Sequence, residues 1–231
     1  MKPIPSLPDP TISCDYQNVY APSDDSYLLI DYFKQVITNT HFNDIEISEI
    51  KYILDLGTGT GIIAIFFQLL KNQNPLFNPK IYASDILEDA IRCAQLNETA
   101  NQINEEITFL HSDLFTSFPE NLKHSFNIIV FNPPYLPSSE LINKDDYKKN
   151  IDYSWAGGVK GNETLINFLK DAKLFLNLEK KSKIYCITSS RTNLLELNRI
   201  INNLGYKNEI VEKRHIFFED ILLNKLTYKT Y

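Results

Sequence analysis

Tyr52-Ile53-Leu54-Asp55-Leu56-Gly57-Thr58-Gly59-Thr60-Gly61 runs from an apolar, strand-like segment straight into three glycines spaced as GxGxG. The apolar stretch Ile62–Leu70 that follows has the length and composition of a buried helix. A strand that turns on glycine into a helix is a unit of parallel sheet. Its backbone can approach a ligand closely at the carboxyl end of the strand. Ile62 stands where GxGxxG has its third glycine, so the dinucleotide fingerprint is not met. Three of the seven glycines in the chain fall in this turn, more than a plain strand–helix connection requires.

Outward from this turn the chain alternates between strand and helix patterns. Lys80–Asp85, Ile107–Leu110, Phe126–Phe131 and Ile184–Thr188 read as further strands. Leu87–Asn101, Glu163–Leu178 and Thr192–Leu204 read as helices, the last closed by Gly205 at a C′ position. Upstream, Ser23-Asp24-Asp25 can cap a helix that carries Leu28, Leu29, Tyr32, Phe33 and Val36 on one face. A polar loop around Thr38–Asn43 follows it. Downstream, Glu209–Phe217 and Ile221–Tyr228 read as two strands joined by a turn at Glu219-Asp220. The expected architecture is α/β: a parallel sheet with helices on both faces and an added C-terminal hairpin. Residues 1–18, with four prolines before position 11, read as an extended or mobile arm, and residues 19–231 as one domain.

Acidic residues close three successive strands. Asp85 can accept hydrogen bonds from the two hydroxyls of a ribose. In His111-Ser112-Asp113-Leu114, the Asp113 carboxylate can take an adenine amino group, with the Leu114 N–H left for a ring nitrogen. With Asp55 they make an acidic pocket, which suits a sulfonium cation and disfavours a pyrophosphate. The cofactor this indicates is S-adenosylmethionine rather than NAD.

Asn132-Pro133-Pro134-Tyr135 continues directly from the Phe126–Phe131 strand. Two prolines fix φ and donate no backbone hydrogen bonds, so the element is rigid. An amide or aromatic amino nitrogen is a poor nucleophile because its lone pair is delocalised. Two acceptors, the Asn132 side-chain oxygen and the Pro133 carbonyl, would select a planar NH2 group and favour its lone pair turning towards a methyl donor. Tyr135 offers a face on which that flat group can stack. Methyl transfer then needs placement more than acid or base help.

Composition narrows the classes. A net charge of −6 and the absence of a long basic run disfavour phosphate-tracking on nucleic acid. Glu179-Lys180-Lys181-Ser182-Lys183 reads as a solvated turn. No stretch approaches a membrane span, and the first residues lack the apolar core of a secretory signal. Cys14, Cys93 and Cys186 are odd in number and widely spaced, against a disulfide framework or zinc site and consistent with a reducing cytoplasm. His41, His111, His124 and His215 are scattered, and no GxSxG elbow marks a hydrolase.

These motifs resemble the class I methyltransferases, whose Rossmann-like fold has a seven-stranded, mostly parallel sheet and a C-terminal antiparallel hairpin. Within that class, four segments look like the short HemK-like protein-glutamine methyltransferases of archaea and eukaryotes. They are Val19-Tyr20-Ala21-Pro22-Ser23-Asp24-Asp25-Ser26, the DLGTGTG turn, NPPYLP, and Trp155-Ala156-Gly157-Gly158 followed by Gly161. The resemblance implies N5-methylation of the glutamine in the Gly-Gly-Gln loop of a class I translation release factor. It places Tyr20, Pro22, Asp25 and Ser26 at the cofactor, beside Asp55, Gly57, Gly59 and Gly61. Asp85, Ile86, Asp113, Leu114 and Asn132 complete that set, while Asn132, Pro133, Pro134 and Tyr135 face the substrate. It also implies a heterodimer with a small zinc-binding activator that covers an apolar edge of the sheet. One departure is Ala21, where the family usually carries glutamate.

The alternatives are adenine N6 or guanine N2 methylation, which predicts a basic face, and lysine methylation, for which a planar-NH2 clamp is ill suited. A non-catalytic module that keeps its cofactor pocket for stability is the non-enzyme reading. Trp155–Gly158 is expected to shape the mouth of the site, and residues 136–152 to form a flexible segment facing the substrate.

Overall fold

The computed structural model describes residue 7, residues 9–137 and residues 157–229. The principal sheet is built from β3 (Tyr52–Leu56), β4 (Lys80–Asp85), β5 (Ile107–His111), β6 (Ile128–Phe131), β7 (Lys183–Ser189), β8 (Tyr206–Ile216) and β9 (Glu219–Tyr228). Its spatial order is β5-β4-β3-β6-β7-β9-β8. Strands β3 to β7 are parallel, while β9 runs antiparallel to β7 and β8 antiparallel to β9. The chain winds outward from β3 through β4 to β5, then returns to the other side of β3 as β6. The reversal leaves a crevice at the carboxyl ends of β3 and β6, where open α/β sheets place ligands.

Side chains alternate between two cores because successive residues of a strand face opposite ways. Ile53, Ile128, Val130, Tyr185 and Ile187 join the core beneath α1 (Asp24–Val36) and α2 (Ile62–Gln73). Leu54, Ile129, Phe131, Ile184 and Cys186 join the opposite core, with α4 (Glu163–Ala172) and α5 (Leu194–Asn203). Burial on both faces is why these strands read as continuous apolar runs. Helix α3 (Glu88–Ala100) lies beside α2 and against β4 and β5. Among the described residues, no helix is long and apolar enough to cross a membrane.

Four local expectations change. The polar loop after α1 contains a minimal hairpin, β1 (His41–Phe42) paired with β2 (Ile45–Glu46), held because Phe42 and Ile45 are buried. Ser23 makes no side-chain cap; instead the Asp25 carboxylate accepts the Ser26 N–H at 2.6 Å. Helix α4 stops at Ala172, and Leu176 and Phe126 pair as an isolated parallel bridge, so β6 proper begins at Ile128. The tail hairpin turns at Phe217-Phe218, and Glu219-Asp220 belong to β9. Asp220 is drawn into the strand by Lys213 at 2.6 Å and His215 at 2.9 Å. Phe217 takes the left-handed φ of +47°, unusual for a bulky residue and therefore invisible to turn statistics.

Candidate active site

A cavity of about 310 Å³ opens at the crevice between β3 and β6, within the roughly 300–1,000 Å³ typical of small-molecule sites. Its floor is the glycine turn. Gly61, at φ +84°, belongs less to the cavity than to packing: a Cβ there would lie 2.9 Å from the Ala94 Cβ of α3. Its absence lets α2 and α3 approach, and Asp85 braces the crest of the turn by accepting the Gly59 N–H at 2.9 Å.

The three strand-end carboxylates stand differently. Asp55 is buried, and its Oδ2 accepts the Thr58 hydroxyl at 2.6 Å and the Ala64 N–H at 3.1 Å. Burial pushes its carboxyl up to about 7 against the pull of those donors. Asp85 spends one acceptor site of each oxygen on backbone, Gly59 N–H and Leu87 N–H, both at 2.9 Å. A carboxylate has about four such sites, so capacity remains on the cavity side. Burial raises this carboxyl too. Asp113 is exposed on the wall, beside Leu114 at φ +47°. No Lys, Arg or His lies on the described wall, so its formal charge is negative.

Across the cavity, Asn132 leaves β6 with its side-chain Oδ1 buried and, among the described residues, without a hydrogen-bond partner. An unpaired buried acceptor costs roughly 1–3 kcal/mol, and the place of this one on the cavity wall lets a ligand satisfy it. Pro133 is buried behind it and Pro134 reaches the wall. The Tyr135 hydroxyl points away from the cavity and donates to Asp25 Oδ2 at 3.1 Å. Asp25, 2% exposed, also accepts the Tyr20 hydroxyl at 3.2 Å. It therefore joins the segment ahead of α1 to the proline loop. Burial and then the Asp25 charge push both phenols above their usual range, so they remain donors.

Of the residues expected at the cofactor, Tyr20, Pro22, Ser26, Asp55, Gly57 and Gly59 line the cavity, as do Asp85, Ile86, Asp113, Leu114 and Asn132. Asp25, Gly61, Pro133 and Tyr135 stand behind the wall and support it. Trp155, Ala156 and residues 138–152 of the expected substrate-facing segment lie outside the described residues.

Two supports do more than the sequence reading gave them, the second having been expected only at the mouth of the site. One is a stripe on α3 and its C-cap, Asp89-Cys93-Asn97-Asn101, repeating every four residues. Asn101 grips the Thr11 backbone with both amide atoms, at 2.8 and 2.7 Å, and Asp89 accepts from the Asn18 amide at 2.9 Å. Asn97 accepts the Ser13 N–H at 2.9 Å and donates to the Thr60 carbonyl at 2.9 Å, tying arm to glycine turn. The spacing was visible, but nothing in the sequence named what it bound. The other is the second glycine loop. The Gly157 N–H donates to the Leu136 carbonyl at 3.0 Å. A Cβ on Gly157 would lie 2.5 Å from the Pro134 carbonyl, and one on Gly161 2.6 Å from that of Tyr135. This loop is thus packed directly on the proline loop and holds it in place.

Residues 31–144 match the methyltransferase small domain family. A Methanocaldococcus jannaschii protein named for protein N5-glutamine methyltransferase activity is 31% identical over 208 residues, 90% of this chain and 91% of the relative. The Schizosaccharomyces pombe eRF1 methyltransferase catalytic subunit mtq2 is 26% identical over 211 residues, 87% of this chain and 85% of that one. Among solved structures, the E. cuniculi Mtq2–Trm112 complex, described as responsible for methylation of the eRF1 translation termination factor, shares the fold. It aligns with a TM-score of 0.58 at 22% identity, covering 92% of this chain and 100% of that one. With identity of 31% sustained over nine-tenths of both chains, and with the glycine turn and proline loop meeting at one cavity, the protein belongs to the protein N5-glutamine methyltransferase family.

Proposed function

We propose that this enzyme methylates the side-chain amide nitrogen of a glutamine in a class I translation release factor, using S-adenosylmethionine. The observation that carries the reading is the buried, unpartnered Oδ1 of Asn132 on the cavity wall, at the head of a rigid Pro-Pro element. The family relationship and the names of the M. jannaschii and S. pombe relatives support glutamine as the acceptor.

The acidic, cation-free wall fits S-adenosylmethionine, with Asp85 and Asp113 as acceptors for its nucleoside and Asp55 facing its cationic end. When bound, that cofactor supplies an electrophilic methyl group on a sulfonium sulfur. Asn132 Oδ1 and the Pro133 carbonyl accept the two N–H bonds of the target amide and hold it in one orientation. Those bonds strengthen as positive charge develops on nitrogen, so they stabilise the transition state more than the ground state. The resulting cationic nitrogen is acidic and loses its proton without a dedicated base. Tyr135, anchored through its hydroxyl to Asp25 behind the wall, keeps the proline loop in place rather than stacking on the amide.

Residues 19–231 act as one methyltransferase domain, and residues 9–18 as a strap along α3. The partner is a small zinc-binding activator. Strand β5 is one of the two edges of the sheet, β8 being the other, and among the described residues its outer side is unpaired, a surface such a subunit can extend by strand pairing. The E. cuniculi neighbour is itself a complex with a second protein. A release-factor substrate places the enzyme in the cytoplasm.

The test is mass spectrometry of release factor incubated with the enzyme, its partner and isotopically labelled S-adenosylmethionine. One added methyl on the Gly-Gly-Gln glutamine is the expected result. A labelled base, a labelled lysine, or no label from a complex that binds the cofactor overturns the proposal.

A further inference from the structure

We propose that an apolar rim formed by Val159, Leu195, Phe217 and Phe218 docks the folded protein whose glutamine is methylated. These four are the most exposed large apolar side chains among the described residues, at 74%, 86%, 87% and 89%. They are far apart in sequence but lie at one end of the molecule. Val159 belongs to the loop packed on the proline loop after β6. Leu195 is in the first turn of α5, which follows the carboxyl end of β7. Phe217 and Phe218 form the tip of the β8–β9 hairpin, beyond the pairing of Ser189 with Ile221. All four thus stand at the carboxyl ends of the strands, where the cavity opens.

The rim is held rigidly. Lys160 and Glu196 pair at 2.8 Å, joining the glycine loop to α5. At the hairpin, Asp220 pairs with Lys213 and His215, Arg214 pairs with Asp31 at 2.7 Å, and the Ser189 hydroxyl donates to Glu219. The Asp220 carbonyl accepts the Ser190 N–H at 2.9 Å and the Asp220 N–H donates to the Ser190 hydroxyl at 2.8 Å, which ties the hairpin root to the carboxyl end of β7. The charges named here are paired within the rim, so the feature it offers to a partner is apolar and aromatic. Exposed aromatics on a rigid turn are the residues that serve as interface anchors.

Position identifies the occupant. A glutamine side chain reaching Asn132 brings its parent protein over this end of the sheet, and that protein must cover what surrounds the opening. None of the four lines the cavity, so a lone amide or a nucleobase bound there leaves the rim uncovered. This inference rests on the protein-glutamine reading above and adds where the substrate is held.

The experiment compares wild type with the double variant Phe217→Ala/Phe218→Ala, each with its partner subunit. Substrates are the intact release factor and a short peptide carrying the same glutamine. Affinity for S-adenosylhomocysteine and the melting temperature are measured alongside. The expected result is a KM for the intact protein raised at least tenfold, with kcat, peptide turnover, cofactor affinity and melting temperature retained. Leu195→Ala alone should raise the same KM by a smaller factor. An unchanged KM for the intact protein overturns the inference. Equal losses on protein and peptide, or a lowered melting temperature, show the rim packing within the chain and overturn it too. So does a wild-type dimer that the variant dissociates, because the rim then meets a second copy. Wild-type failure on both substrates overturns the underlying glutamine reading instead.

Discussion

Replacing Asp55 with asparagine separates what the carboxylate does for folding from what it does for a ligand. In the free enzyme the carboxyl titrates near 7, against an ordinary value of 3.8, because it is fully buried. Between those two values the folded chain holds a proton that the unfolded chain has released. Stability therefore falls as pH rises through that window, and the contribution levels off above about 7. Integrated from pH 5 to pH 8, wild type loses roughly 2–3 kcal/mol that the Asp55→Asn enzyme does not lose. For a domain of this size that corresponds to roughly 5–10 °C in melting temperature. The asparagine oxygen still accepts from Thr58 and Ala64, so the glycine turn is kept. Thermal melts of ligand-free protein at pH 5, 6, 7 and 8 should show the variant gaining on wild type at each step. Ligand binding should move the other way, since only the ionised carboxylate attracts a cation. Wild-type affinity for S-adenosylmethionine should gain about fivefold from this group between pH 6 and pH 7, a gain absent from the variant. Asp85, also raised by burial, leaves a residual slope common to both proteins. A melting-temperature gap that is constant with pH would refute the assignment of this titration to Asp55.

Asn132→Ala should lower kcat by about 100-fold or more, the usual cost of one positioned hydrogen-bonding group. Its affinity for S-adenosylhomocysteine should stay within about threefold by calorimetry, because the lost oxygen has no partner among the described residues of the free enzyme; equal losses in both would contradict amide positioning. Gly157→Ala drives a methyl into the Pro134 carbonyl, and should reduce kcat while costing about 1–3 kcal/mol in denaturant unfolding, as overpacking does. Asn97→Ala cuts both the Ser13 and Thr60 bonds. Limited proteolysis should then cleave within residues 9–18 faster than in wild type, and cofactor affinity should weaken about tenfold. Asn97→Asp, which keeps the acceptor for Ser13, should fall between the two.

Much of the sheet was legible because its strands are buried on both faces and stand out as apolar runs. The glycine turn and Asn132–Tyr135 were legible because their backbone demands are local: positive φ in one, fixed φ in the other. Phe217 shows the limit. A left-handed phenylalanine is locally unfavourable, and cross-strand pairing of Asp220 with Lys213 and His215 sets the register against it. Asp25 shows another. It read as a helix-start residue and, by resemblance, as a cofactor contact, whereas burial made it the acceptor shared by Tyr20 and Tyr135, the latter 110 residues away in the chain.

Residue patterning alone settled the α/β class, the strand ends where chemistry gathers, and the residue types able to meet a cationic donor and a planar amide. Those properties follow from periodicity and backbone geometry, which act over a few neighbours. The tertiary structure decided which of these residues form the wall and which stand behind it. It also decided that Asp55 titrates near neutrality, that α3 carries the arm, and that the second glycine loop backs the proline loop. Each depends on burial or close approach between segments distant in sequence, and no local pattern encodes those distances.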